Sequence, residues 1–148
     1  YYKNNALPKL NPTQESLAIM HVAYPLKLKY NFNWPYPDIK KISFDLPSMN
    51  LQNFQKLEVM LKGSQLKGDL SRNIKVEFEN RHREKDAKYI SIPNDNWSEY
   101  SIALNSFKGI SDWSSITRLS FVIEKWNTAN NEGVVYINEI KFSKKLNH

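Results

Sequence analysis

The segment Ile74-Lys75-Val76-Glu77-Phe78-Glu79-Asn80 alternates apolar and polar residues with a period of two. An extended strand sends successive side chains to opposite faces, so this period fits a strand buried on one side only. A helix would scatter the same residues around its axis. The pattern recurs along the chain, in Leu26–Phe32, Ile42–Leu46, Leu57–Gly63, Lys88–Ile92, Tyr100–Leu104, Thr117–Glu124 and Val134–Phe142. Leu17–Val22 is a further β-like run, and Pro25 ends it. Asn, Asp, Pro, Gly and Ser separate these runs, and Asn50–Phe54 reads as one helical turn capped by Asn50. About nine short strands spaced by turns predict an all-β, antiparallel β-sandwich or barrel.

The chain has 148 residues, enough for one domain that buries about 70% of its unfolded surface without staples. It contains no cysteine, which excludes disulfides, thiolate nucleophiles and cysteine-ligated zinc. No apolar run reaches the ~20 residues of a membrane-spanning helix, so membrane insertion is not expected. The net charge is +6, but the basic residues fall in small pairs such as Lys40-Lys41 and Arg81-x-Arg83. Nucleic-acid binding needs a continuous basic stripe, and none is expected here. Residues 1–14 read as a flexible or wrapping lead-in, 15–143 as one sandwich domain, and 144–148 as a frayed basic tail. The chain starts at Tyr1, so it reads as a piece of a larger protein whose signal segment lies outside the numbered residues.

Several segments then line up in order. "PLKLKYNF" leads to "ISFDLPSMNLQNFQKLEVMLKG" and "IKVEFEN"; "W-x-x-Y-x-I-x-L-x-x-F" runs from Trp97 to Phe107; "ISDWSSITRLSFVIE" and "GVVYINEIKF" close the series. Over residues 17–142 this order resembles the galactose-binding-like jelly rolls used as carbohydrate-binding modules. A related sandwich occurs in complex I assembly-factor-like domains. The resemblance implies a non-catalytic module that binds a poly- or oligosaccharide. It would act at an extracellular, cell-surface or periplasmic location, within a larger multidomain protein. It also implies a structural calcium near the first and last strands. Glu15, Asn138 and Glu139 are the matching donors here, with Asn138 standing where related modules often carry Asp.

A sugar site needs an aromatic surface for the apolar ring face and polar side chains for the hydroxyls. Trp97 and Trp113 occupy positions that resemble structural ones and are expected in or over the core. Trp34, Tyr36 and Trp126 fall in the loop segments "NFNWPYPD" and "EKWNTANNEG", which suits ligand contact. If Ile74, Val76 and Phe78 face inward, strand parity gives one open face to Glu77, Glu79, Arg81, Tyr89 and Glu124. The plain alternative for that face is a solvated surface of paired charges.

Two other functions share the fold. One is a protein-interaction or assembly domain. The other is a small glycan-active enzyme, since Glu77 and Glu79 stand about 7 Å apart on one strand and glycosidases pair carboxyl groups at roughly 5–10 Å. No HExxH pattern accompanies the three His residues, and Gly63-x4-Gly68 lacks the Lys-Ser/Thr of a phosphate loop. Asn96-Trp97-Ser98 matches the glycosylation acceptor pattern.

Overall fold

A computed structural model describes residues 2–3, 16–20, 25–64, 72–92 and 96–144, the first two segments as backbone only. Among these residues ten strands alternate with turns, and one 3-10 turn, Leu104–Ser106, is the sole helical element. The strands are β1 (Tyr2–Lys3), β2 (Ser16–Met20), β3 (Leu26–Asn31), β4 (Ile39–Met49), β5 (Lys56–Ser64), β6 (Arg72–Asn80), β7 (Lys85–Ile92), β8 (Ser98–Ala103), β9 (Ile116–Thr128) and β10 (Glu132–Ser143). They form two sheets. One has the order β1-β4-β9-β6-β7. In the other, β10 pairs with β5 and β5 with β8, while β2 and β3 share the remaining edge of β10. All pairings are antiparallel except the short one between β1 and β4. The expected antiparallel β-sandwich is the fold observed.

Alternation places the core. Ile74, Val76 and Phe78 of β6 face Val59 and Leu61 of β5 and Val135 and Ile137 of β10, all fully buried between the sheets. Phe78 meets Phe107 edge-on at 5.0 Å and Trp113 at 5.2 Å, so the loop after the 3-10 turn lids the core. The expected helical turn at Asn50 is instead a tight turn. Asn50 Oδ1 accepts the Gln52 N–H at 3.0 Å, and the Phe54 N–H bonds the Leu51 carbonyl.

Trp97 departs from expectation. It is 38% exposed, with the Lys62 ammonium 5.8 Å from its ring. The cause is parity. Ile102 is buried and Tyr100 packs on the core, so the odd positions of β8 face solvent and Trp97 shares their side.

At one end of the sandwich, Arg72 is buried and donates through Nη1 to the Val134 carbonyl of the opposite sheet at 2.9 Å. Its guanidinium lies 5.7 Å from the Tyr30 ring. A β-carbon on Gly133 would collide with the Tyr30 hydroxyl, so glycine is required for this close approach.

Candidate functional site

The solvent side of the β4-β9-β6-β7 sheet is built row by row from strand register. One row reads Asp45–Arg118–Glu79–Lys85, the next Ser43–Ser120–Glu77–Ala87, and the next Lys41–Val122–Lys75–Tyr89. Beyond them Glu124 stands opposite Ile39. The middle of this face is unusual. Ser43, Ser120, Val122 and Glu124 point away from the core yet are buried. Small side chains there form a floor, and longer neighbours on either side screen them. The Ser43 and Ser120 hydroxyls bond each other at 2.8 Å across the two strands. The result is a shallow trough across the sheet.

Glu124 organises one end of the trough. Its side chain is only 6% exposed. Oε1 accepts the Tyr89 hydroxyl at 3.0 Å and the Asn127 amide at 2.9 Å, while Oε2 faces the Lys75 ammonium at 3.3 Å. A carboxylate removed from water needs such partners. Tyr89 itself is 52% exposed, so its ring offers a surface while its hydroxyl is tethered. Partial burial, and then the Glu124 carboxylate beside it, raise the Tyr89 pKa, which keeps the hydroxyl protonated and donating. Lys75 also reaches Glu77 at 4.0 Å.

At the opposite end Glu79 is engaged by Lys85 at 3.6 Å and by Arg118 at 3.7 Å. Arg118 also pairs with Asp45 at 3.4 Å. Parity thus places Glu77, Glu79, Tyr89 and Glu124 on one face. Arg81 follows the end of β6 at Asn80; it is exposed in the β6–β7 turn and lines one groove with Glu79, Lys85 and Arg118. Asn80 sets that turn: it is buried, and its Oδ1 accepts the backbone N–H groups of both His82 and Glu84, folding the chain back at once.

Trp34, Tyr36 and Trp126 lie at the Glu124 end. The β3–β4 loop is tied there by the Lys125 N–H to the Asp38 carbonyl at 2.8 Å and by Asn131 to Asn33 at 3.2 Å. Trp34 precedes a cis proline and is 92% exposed, and Trp126 is 63% exposed. Lys75 and Arg118 share the outward parity of β6 and β9 and join the face. Asn127 does not follow from alternation, because β9 bulges between Ile123 and Thr128 and strict parity fails there.

Of the expected calcium donors, the structure describes Asn138 and Glu139. Glu15 lies outside the described residues. Asn138 and Glu139 sit at the β10 bulge, where Glu139 takes φ 50° and its N–H bonds Asn138 Oδ1 at 3.0 Å. Among the described residues no three His, Asp or Glu side chains are grouped to hold a metal ion. Calcium takes six to eight oxygens, and this pair alone does not fit it.

No protein-family profile matches the sequence, and no curated protein matches it. Solved structures do match in fold. The family 11 carbohydrate-binding module from Clostridium thermocellum, in complex with a beta-1,3-1,4-mixed-linked tetrasaccharide, superposes with a TM-score of 0.64 at 16% identity over 90% of this chain and 84% of that one. A family 28 module specific for non-crystalline cellulose gives 0.59 at 11% identity, over 94% and 80%. An exo-beta-agarase gives 0.65 at 13% identity, where 84% of this chain covers 21% of the enzyme. At these identities the likeness is one of fold.

Proposed function

We propose that this chain is a non-catalytic glycan-binding domain whose ligand lies along the trough of the β4-β9-β6-β7 sheet. The observation that carries the reading is the half-exposed Tyr89 ring, tethered by its hydroxyl to buried Glu124 at the edge of a floor of small residues. A fixed ring costs little rotamer entropy on binding and offers a face to the C–H side of a sugar. Lys75 and Glu77 flank it and Glu79 stands at the far end of the trough; these side chains supply acceptors and donors for hydroxyls. Trp126, Trp34 and Tyr36 extend the aromatic surface at the loop end.

The shared fold with carbohydrate-binding modules supports this assignment, and so does the chain's match to one fifth of an agarase. On this reading the chain is a secreted or surface accessory domain of a larger glycan-active protein. Glu77 and Glu79 serve in binding and not in hydrolysis: each already faces a cation on a shallow sheet surface. Affinity electrophoresis against a panel of soluble polysaccharides tests the reading. Retardation by at least one glycan, lost in Tyr89→Ala, supports it; unaltered mobility on the whole panel refutes it.

The second reading, a protein-interaction domain, draws on the cluster of exposed Trp34, Tyr36, Ile39 and Trp126 at one sandwich end. A stable complex with the adjoining domain of the parent protein, broken by Trp34→Ala with Trp126→Ala and untouched by Tyr89→Ala, would favour it.

A further inference from the structure

We infer that the glycan bound by this domain is acidic, and that its sulfate or carboxylate group is received in the groove where the trough meets the β6–β7 turn. The inference rests on the trough being the glycan site and names the substrate class of that site.

The groove has a volume of about 740 Å³ and is lined by Arg81, Arg83, Lys85 and Arg118 against one carboxylate, Glu79. Four cations against one acid leave a local excess of three positive charges, or two once Asp45, the other partner of Arg118, is counted. Among the described residues no carboxylate lies within ion-pair distance of Arg81 or Arg83. Guanidinium groups match the planar, bidentate geometry of carboxylate and sulfate oxygens.

The second observation is backbone conformation. Arg83 takes φ 64°, a region costly to a residue with a β-carbon and cheap for glycine. The turn is nonetheless well tied by hydrogen bonds. Besides accepting from His82 and Glu84 through Oδ1, Asn80 donates from Nδ2 to the Glu84 carboxylate at 2.6 Å and to the Asp112 carbonyl at 3.1 Å. The Arg83 N–H closes the turn onto the Asn80 carbonyl at 3.0 Å. The backbone that carries the two arginines is thus held in place at the groove, and Arg81 Nε donates to His82 Nε2 at 3.3 Å. Glu79, in the row beside Glu77, links groove and trough, so one chain of sugar rings can reach both.

The test is calorimetry on the intact domain with matched polymers: a sulfated galactan and its desulfated product, and a polyuronate and its carboxyl-reduced product. Inorganic polyphosphate serves as a polyanion without sugar rings. The expected result is about tenfold tighter binding of one acidic polymer than of its neutralised product. Whether sulfate or carboxylate is preferred tells the two sources apart. Arg81→Gln with Arg83→Gln removes the preference, while Tyr89→Ala weakens acidic and neutral forms alike. Equal affinity for each polymer and its neutralised product overturns the inference and leaves the trough reading standing. So does a preference that survives the double substitution. Polyphosphate binding as tight as the acidic glycan reduces the groove to bulk charge and also overturns it. If the arginines matter and Tyr89→Ala changes nothing, it is the trough reading that fails.

Discussion

The Tyr89 hydroxyl on β7 donates to Glu124 Oε1 on β9 at 3.0 Å, reaching over the intervening strand β6. The Lys75 ammonium of β6 faces the other oxygen of the same carboxylate. Three neighbouring strands therefore converge on one buried acid. This convergence sets the pose of the Tyr89 ring, and the first prediction separates the ring from its tether. Tyr89→Ala removes both, and glycan affinity falls about tenfold or more, as loss of one aromatic anchor does. Tyr89→Phe keeps the ring and loses only the hydroxyl, so affinity falls less. Calorimetry on the two variants checks the order.

Glu124→Ala should destabilise the fold by about 1–3 kcal/mol, because the Lys75, Tyr89 and Asn127 donors then lose their shared acceptor, a carboxylate whose side chain is only 6% exposed. Urea unfolding of the variant measures this. A change below about 0.5 kcal/mol would place Glu124 among ordinary surface acids.

The β6–β7 turn makes a pH prediction. The Glu84 carboxylate accepts the Ser111 hydroxyl, the Asn80 amide and the Ser111 N–H, which together hold its pKa below the ordinary value of 4.5. A depressed folded pKa contributes stability that is present above the unfolded value and lost as pH falls through the folded one. Glu84→Gln should therefore lower Tm at neutral pH, with the difference from the parent shrinking as pH drops well below 4.5. Thermal melts at pH 7 and at about pH 3 decide it. A gap that widens in acid contradicts the assignment.

Gly133→Ala should cost about 1–3 kcal/mol, since the new methyl meets the Tyr30 ring and hydroxyl and Arg72 Nη1 in a packed interior. Tyr30→Phe, combined with it, relieves part of the clash, so the double variant should lose less than the sum of the two single losses. Strict additivity would show that the backbone moves instead of the ring.

Calcium enters only through the resemblance of the closing strand. Asn138 Oδ1 is already bonded to the neighbouring N–H, and among the described residues no three His, Asp or Glu side chains are grouped to hold an ion. Tm is expected to be the same with EDTA and with excess calcium. A rise of several degrees in calcium would assign a site completed by residues such as Glu15.

Period-two alternation made most of this fold legible. Ile74, Val76 and Phe78 alternate with Lys75, Glu77 and Glu79 in the sequence and sit on opposite sides of one strand in the structure. The same parity placed Tyr89 and Glu124 on the open face. It failed where the ladder shifts. The bulge of β9 brought Asn127 onto Glu124, and the Asn80 turn that brings Arg83 beside Arg81 breaks the alternation, and neither event leaves a periodic signal. The buried floor of Ser43, Ser120 and Val122 was equally hidden, because alternation assigns a side but not what screens it. Trp97 misled for a different reason: a bulky aromatic reads as core, and its outward position follows only from the register of β8.

The central claim is that the trough binds sugar through Tyr89. Its most direct test is calorimetric titration of the domain and of Tyr89→Ala, matched in Tm, with the glycan that binds best in a polysaccharide panel. The account predicts saturable binding by the parent domain and about tenfold or greater loss in the variant. Binding that is unchanged by Tyr89→Ala, or no binding of any glycan by the folded parent domain, would contradict it.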